Sequence, residues 1–178
     1  MPGIGFSMPH GVHPRDTIAN DYPGATRMNT YVSSLAANLG TETRQPQWLI
    51  KLFNDLGSAA VVGRPYVISF DGADLDQIPK AITPATIAAD QYVVVAVEAV
   101  ADQAWGWYCC AGWVDALVDG GTNDVTAGDY LKVANAGTSF VDDGTARTTD
   151  TCAKASTTNT GAAAMQKILL LGDRADID

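Results

Sequence analysis

The chain has 178 residues, of which 47% are hydrophobic and only 17% charged, and its net charge is −9. That length holds one domain of about 100–150 residues plus an appendage, and the sign of the charge disfavours sequence-independent binding to nucleic acid or to anionic membranes, which requires clustered Lys and Arg. No stretch approaches the roughly 18 apolar residues of a membrane span, and the first residues lack the basic and apolar regions of a secretory signal, so synthesis in a cytoplasm is expected.

The acidic residues are 18 Asp and 2 Glu, beside 17 Gly. Asp bonds its own backbone and suits turns whereas Glu prefers helices, so this bias favours strands joined by tight turns. Up to Ala89 there are 6 basic and 7 acidic residues; after it there are 5 basic and 13 acidic, so the second half carries nearly all the net charge.

Residues 1–27 contain Pro2, Pro9, Pro14 and Pro23 among Gly3, Gly5, Gly11 and Gly24, with isolated apolar residues Ile4, Phe6, Val12 and Tyr22. Such a segment forms neither a helix nor a central strand. It reads either as disorder or as an extended arm that orders on a neighbouring subunit, with those four residues as its anchors.

Next, Met28, Tyr31, Val32, Leu35 and Leu39 fall at helical spacing, which predicts a helix over 28–39 stopped by Gly40. A second short helix is predicted over 47–56, where Trp48, Leu49, Leu52, Phe53 and Leu56 follow Pro46 and precede Gly57. A boundary placed after Gly57 divides the chain into an N-terminal arm with short helices, 1–57, and a β domain, 58–178.

Beyond Gly57 the pattern changes to short β-branched and aromatic runs separated by Gly, Asp and Asn clusters. Strands are predicted at 60–62, 66–70, 92–100, 104–118, 130–134, 139–141, 151–155 and 165–171. The fold class expected is mainly β, a small β-barrel or β-sandwich preceded by the arm and one or two short helices.

The run 104–118 is the most informative. Counted by twos, one face carries Trp105, Trp107, Cys109, Ala111, Trp113, Asp115 and Leu117, and the other Tyr108 with mostly small residues. A strand apolar on both faces is covered on both, by core or by another subunit. Trp105, Trp107, Tyr108 and Trp113 are therefore interface candidates beside the four anchors of the arm, and Gly106 and Gly112 mark possible bends.

Catalytic chemistry is poorly represented. The two histidines, His10 and His13, lie in the arm, where Pro9 and Pro14 oppose the helix that an HxxH metal site needs, so they are read as solvated. Cys109, Cys110 and Cys152 lack CxxC spacing and are read as buried thiols. Glu98 with Asp102 or Asp115 would make a glycosidase pair, but nothing distinguishes them from the other acids. The acidic loop 71–76 departs from the calcium-loop pattern and lacks its closing Glu. GxSxG, Walker A and GxGxxG motifs are absent as well. No enzyme activity, cofactor or metal is expected.

The residues WYCCAGWVDALVDGGT at 107–122, DVTAGDYLKV at 124–133 and GAAAMQKILLL at 161–171 form an ordered series. An aromatic strand leads to a TAGDxL turn and strand, a Gly-rich hairpin, an Ala/Thr-rich segment and a last apolar strand. Over about residues 58–172 this series resembles the head decoration, or cement, proteins of tailed bacteriophages. The resemblance implies a structural virion protein, made in the host bacterium, that sits on the capsid exterior and bridges subunits of the major capsid protein. It also implies self-association as a homodimer or homotrimer. The competing expectation is a phage tail or baseplate component, or a host-recognition module that stacks tryptophans on surface glycans.

Overall fold

The computed structural model describes residues 26–31, 45–70, 79–82, 92–133 and 137–172. It contains ten strands: β1 (Thr26–Tyr31), β2 (Gln45–Asn54), β3 (Pro65–Phe70), β4 (Pro79–Ile82), β5 (Val93–Ala96), β6 (Trp105–Val118), β7 (Tyr130–Val133), β8 (Phe140–Gly144), β9 (Ala153–Ala155) and β10 (Ala164–Leu170). No helix occurs among the described residues.

The helix expected over 47–56 is instead the long strand β2. Its faces explain the misleading spacing: Leu52 belongs to one buried cluster and Leu49 to another, so both sides of the strand are apolar. A strand covered on both faces reads as a near-continuous hydrophobic run, which mimics a helix's apolar stripe. Of the other expected helix, Met28 to Tyr31 lie in β1, paired antiparallel with β2, and residues 32–39 lie outside the described residues. The expected arm lies mostly outside them too, including Ile4, Phe6, Val12 and Tyr22. The strand pairing crosses Gly57, because β2 bonds β6 along seven register positions from Gln47↔Gly112 to Phe53↔Trp105.

Pairing closes β2, β4, β3, β5 and β6 into a five-stranded barrel. A second circuit runs β6-β10-β9-β7-β8 and returns to β6 through a single parallel bridge, Val118↔Phe140. The two rings share β6. Gly112 marks the passage, since it pairs with Gln47 of β2 and also with Leu170 of β10.

At that passage the register breaks: Trp48 faces Ala111 but Leu49 faces Cys109, so Cys110 is the extra residue of a β-bulge. The bulge reverses the alternation of faces. Cys109 shares a buried cluster with Val114, Ala116 and Val118, while Tyr108 belongs to the other. The single tryptophan face expected for β6 is thereby split, with Trp113, Asp115 and Leu117 turned to the face opposite Trp105 and Trp107.

One core cluster gathers Leu52, Tyr66, Ala81, Val94, Ala96 and Tyr108 from the first ring, closed over by the Ala60↔Val100 bridge. Gly106 makes room for that closure, because a Cβ there would lie 2.1 Å from Val100 Cγ2. The other cluster fills the second ring with Val114, Leu131, Val133, Phe140, Ile168 and Leu170 and continues onto Leu49, Val67, Val95 and Cys109. Each fully buried Leu, Ile or Phe contributes about 1.5–3 kcal/mol relative to exposure.

Two polar residues tie loops to this frame. Asn54, fully buried at the end of β2, donates from Nδ2 to the carbonyls of Ser58, Val100 and Ala101, and its Oδ1 accepts from Leu56 N. The TAGD segment of the quoted series forms a turn in which Asp129 N donates to Thr126 O, with Gly128 at φ +100° as the third residue of a type II turn requires. Asp129 Oδ2 accepts from Thr126 N at 2.7 Å and closes it.

Candidate interaction surface

The interface residues expected on β6 divide into three environments. Tyr108 is fully buried and packs edge-on to Tyr66, with centroids 6.0 Å apart at 89°. It is a core residue, placed there because the even-numbered face of this half of β6 points into the first cluster.

Trp105 and Trp107 are half-buried on the opposite face. Cross-strand register sets Phe53 beside Trp105, at 5.4 Å between ring centroids, and Lys51 beside Trp107, with the ammonium 5.9 Å from the ring. Such pairs are the unit of sheet stabilisation. Glu98, one of the acids considered for catalysis, accepts a hydrogen bond at Oε1 from the backbone N–H of Trp107.

Trp113 is half-buried on the other side of the molecule's shared strand. It opens a row across four neighbouring strands: Trp113 of β6 faces Leu169 of β10, which faces Lys154 of β9, which faces Tyr130 of β7. Directly paired residues share a face, so the four form one strip, about 14 Å long from three strand spacings. All four are half-buried. The Lys154 ammonium lies 5.1 Å from the Tyr130 ring centroid and that of Lys167, two residues before Leu169, lies 4.6 Å from the Trp113 ring. Asp115 faces Lys167 in register. The sequence reading found Trp113 but missed Tyr130, Lys154, Leu169 and Lys167, whose signal was the alternation of YLKV, AKA and QKILLL with their inward partners.

The titratable groups with displaced values are structural in setting. Burial pushes the Cys109 and Cys152 thiols up to about 12, and that of Cys110 upward as well. All three cysteines are free thiols, bonded to the carbonyls of Ala111, Trp48 and Leu131. Burial would also raise the carboxyl of Asp143, but the hydroxyls of Thr148 and Thr151 and the ammonium of Lys132 outweigh it and hold the group below its usual value. The Lys132 ammonium, 3.0 Å from Asp143 Oδ1, is correspondingly raised by that bond.

Among the described residues no three His, Cys, Asp or Glu side chains gather as a metal site. His10, His13 and the acidic loop 71–76 lie outside the described residues. No protein-family model matches the sequence, and no curated protein matches it.

Proposed function

We propose that this chain is a non-enzymatic structural protein of a tailed-phage head, which binds the capsid exterior and bridges major capsid subunits. The observation that supports this reading is spatial. The three quoted segments on which the resemblance to cement proteins rests supply β6, β7 and β10, three of the five strands of the second ring. The series is thus one folded unit rather than scattered similarity. Half-buried aromatic and lysine pairs on both rings add surface suited to protein contact, where aromatic residues are enriched.

The test is a binding isotherm of the purified chain on expanded phage heads. Saturation at a defined stoichiometry, lost when residues 1–27 are removed, is expected; absence of binding to heads that lack the protein overturns the reading.

A glycan-binding role has one observation in its favour, the half-buried Trp105, Trp107 and Trp113. Each of these rings, however, already meets a neighbour: Phe53, Lys51 and Lys167 in turn. A sugar would have to displace those contacts or use the remaining ring surface. Binding on a glycan array that disappears in a folded Trp105→Ala or Trp113→Ala variant would favour this second reading.

A further inference from the structure

Every strand but one bonds a neighbouring strand on both sides; β1 pairs with β2 and, among the described residues, with no other strand. Its second edge is there a row of backbone donors and acceptors without a ladder, the feature by which sheets add strands from other chains. β8, closed on its second side only by the Val118↔Phe140 bridge, is guarded by Asp142 and by Asp143, the extra residue of a bulge. β1 carries no such device. Its sequence TRMNTY has no proline and no acid, and it pairs with β2 without a register shift.

The direction of each backbone group in β1 follows from β2. Asn54 bonds Ala104 O and Gln103 N on the β6 side, so alternation turns the even-numbered residues of β2 toward β6 and Gln45, Gln47 and Leu49 toward β1. The Trp48 carbonyl agrees, since it accepts from the Cys110 thiol of β6. Gln45, Gln47 and Leu49 stand opposite Tyr31, Asn29 and Arg27, which leaves Thr26, Met28 and Thr30 directing their N–H and C=O groups to the open edge.

That edge matches itself. A second copy laid antiparallel about a two-fold axis at Met28 sets Thr26 opposite the copy's Thr30, Met28 opposite Met28 and Thr30 opposite Thr26. All three outward residues then meet outward residues, as an antiparallel ladder requires, and Arg27 stands opposite Asn29. An axis at Asn29 matches fewer of them within β1, and an axis at Arg27 sets two like charges opposite each other. Charge along the chain favours the same approach: up to Ala89 there are 6 basic and 7 acidic residues against 5 and 13 afterwards, so copies meeting at β1 come together through the nearly neutral half of the sequence. Residues 1–25 are a poor strand for this edge, because they contain Pro2, Pro9, Pro14 and Pro23, and Pro23-Gly24 favours a type II turn, whose twist splays hairpin strands.

We propose that the protein forms a two-fold dimer in which β1 pairs antiparallel with β1 of a second copy, centred on Met28, so that one sheet continues from molecule to molecule. Such a dimer needs no capsid partner and is independent of the decoration reading.

Sedimentation of the full chain over a range of concentrations reads the assembly state, and backbone hydrogen exchange reads the edge. Wild type is expected to be dimeric, with slow exchange at the Met28 and Thr30 amides. Met28→Pro removes an N–H that points away from β2, so it spares the β1–β2 ladder but deletes the bonds at the axis. Its dimer dissociation constant should rise about tenfold or more, with faster exchange at Thr30. Circular dichroism establishes folding; if the proline variant does not fold, Met28→Lys replaces it, setting like charges at the axis, and a weakened dimer that salt partly restores is expected. A monomeric or trimeric wild type, or a dimer whose affinity these variants leave unchanged, overturns the proposal. A monomer with slow exchange at Met28 and Thr30 overturns it as well and assigns the edge to another segment of the same chain.

Discussion

Gly112 of β6 lies against the backbone of Pro46: a Cβ there would stand 2.4 Å from the Pro46 carbonyl oxygen, and φ is +91°. No other residue type fits both constraints, and the position is where β6 leaves one ring and enters the next. Gly112→Ala is expected to lower the unfolding free energy by about 2–4 kcal/mol, from backbone strain and overpacking together. Gly128 has φ +100° but open space around it, so Gly128→Ala incurs only the backbone part, about 1–2 kcal/mol. Urea unfolding of both variants measures the difference, and equal losses would contradict the close approach.

Asn54 links β2 to two loops through the carbonyls of Ser58, Val100 and Ala101. Asn54→Ala removes these donors and leaves a cavity in a buried site, while the Val100 and Ala101 carbonyls keep the backbone donors Ala60 N and Ala104 N, for an expected loss of about 1–3 kcal/mol. Asn54→Asp is expected to be worse, since it turns a carboxylate toward the same oxygens. Equilibrium denaturation of the two variants ranks them.

The buried Tyr108 hydroxyl has no hydrogen-bond partner among the described residues, and burial, ahead of the neighbouring Tyr66 and Glu98, raises its pKa above the usual tyrosine value. Removing an unsatisfied buried polar group relieves its desolvation. Tyr108→Phe is therefore expected to be neutral or stabilising by up to about 1 kcal/mol. A clear drop in melting temperature would mean that the hydroxyl has a partner in solution.

Asp143 makes part of the stability depend on pH. Its folded value lies below its unfolded one, so its contribution is complete above the unfolded carboxylate value of about 3.9 and is lost as pH falls through the folded value. Lys132 acts in the opposite range: its raised value gives a contribution that is complete below the unfolded lysine value of about 10.4 and is lost as pH rises through the folded one. Urea midpoints against pH for wild type and Asp143→Asn should converge in acid, with the variant showing the flatter slope. Parallel curves would rule this carboxylate out as a source of acid sensitivity.

With thiols at about 12, Cys109 and Cys152 are expected to react with a disulfide reagent at pH 8 on the order of a thousandfold more slowly than a free thiol. Three thiols should titrate promptly once denaturant is added. Rapid native-state labelling of either residue would indicate local opening of the second core cluster.

The second half of the fold was readable because its strands alternate. Tyr130 to Val133 and Ala153 to Ala155 bury every other residue, and both were placed within two residues. β2 was misread because it is covered on both sides, and β4 was missed because four residues beginning with Pro79, parallel to β2, carry no hairpin signal. The aromatic run in β6 was recognised, but its facing was lost at Cys110, since a bulge depends on the partner strand and leaves no mark in a single sequence. The lysines of the outward strip escaped notice for the related reason that β6, β10, β9 and β7 become neighbours only through the ring's closure.

β6 serves as a common wall for two enclosures, and neither is complete when it is removed. Fragments cut near Gly112 would each carry half of that wall and an open side, so neither half is expected to fold as an excised piece. Heat or denaturant should bring the whole assembly of strands down in one cooperative step.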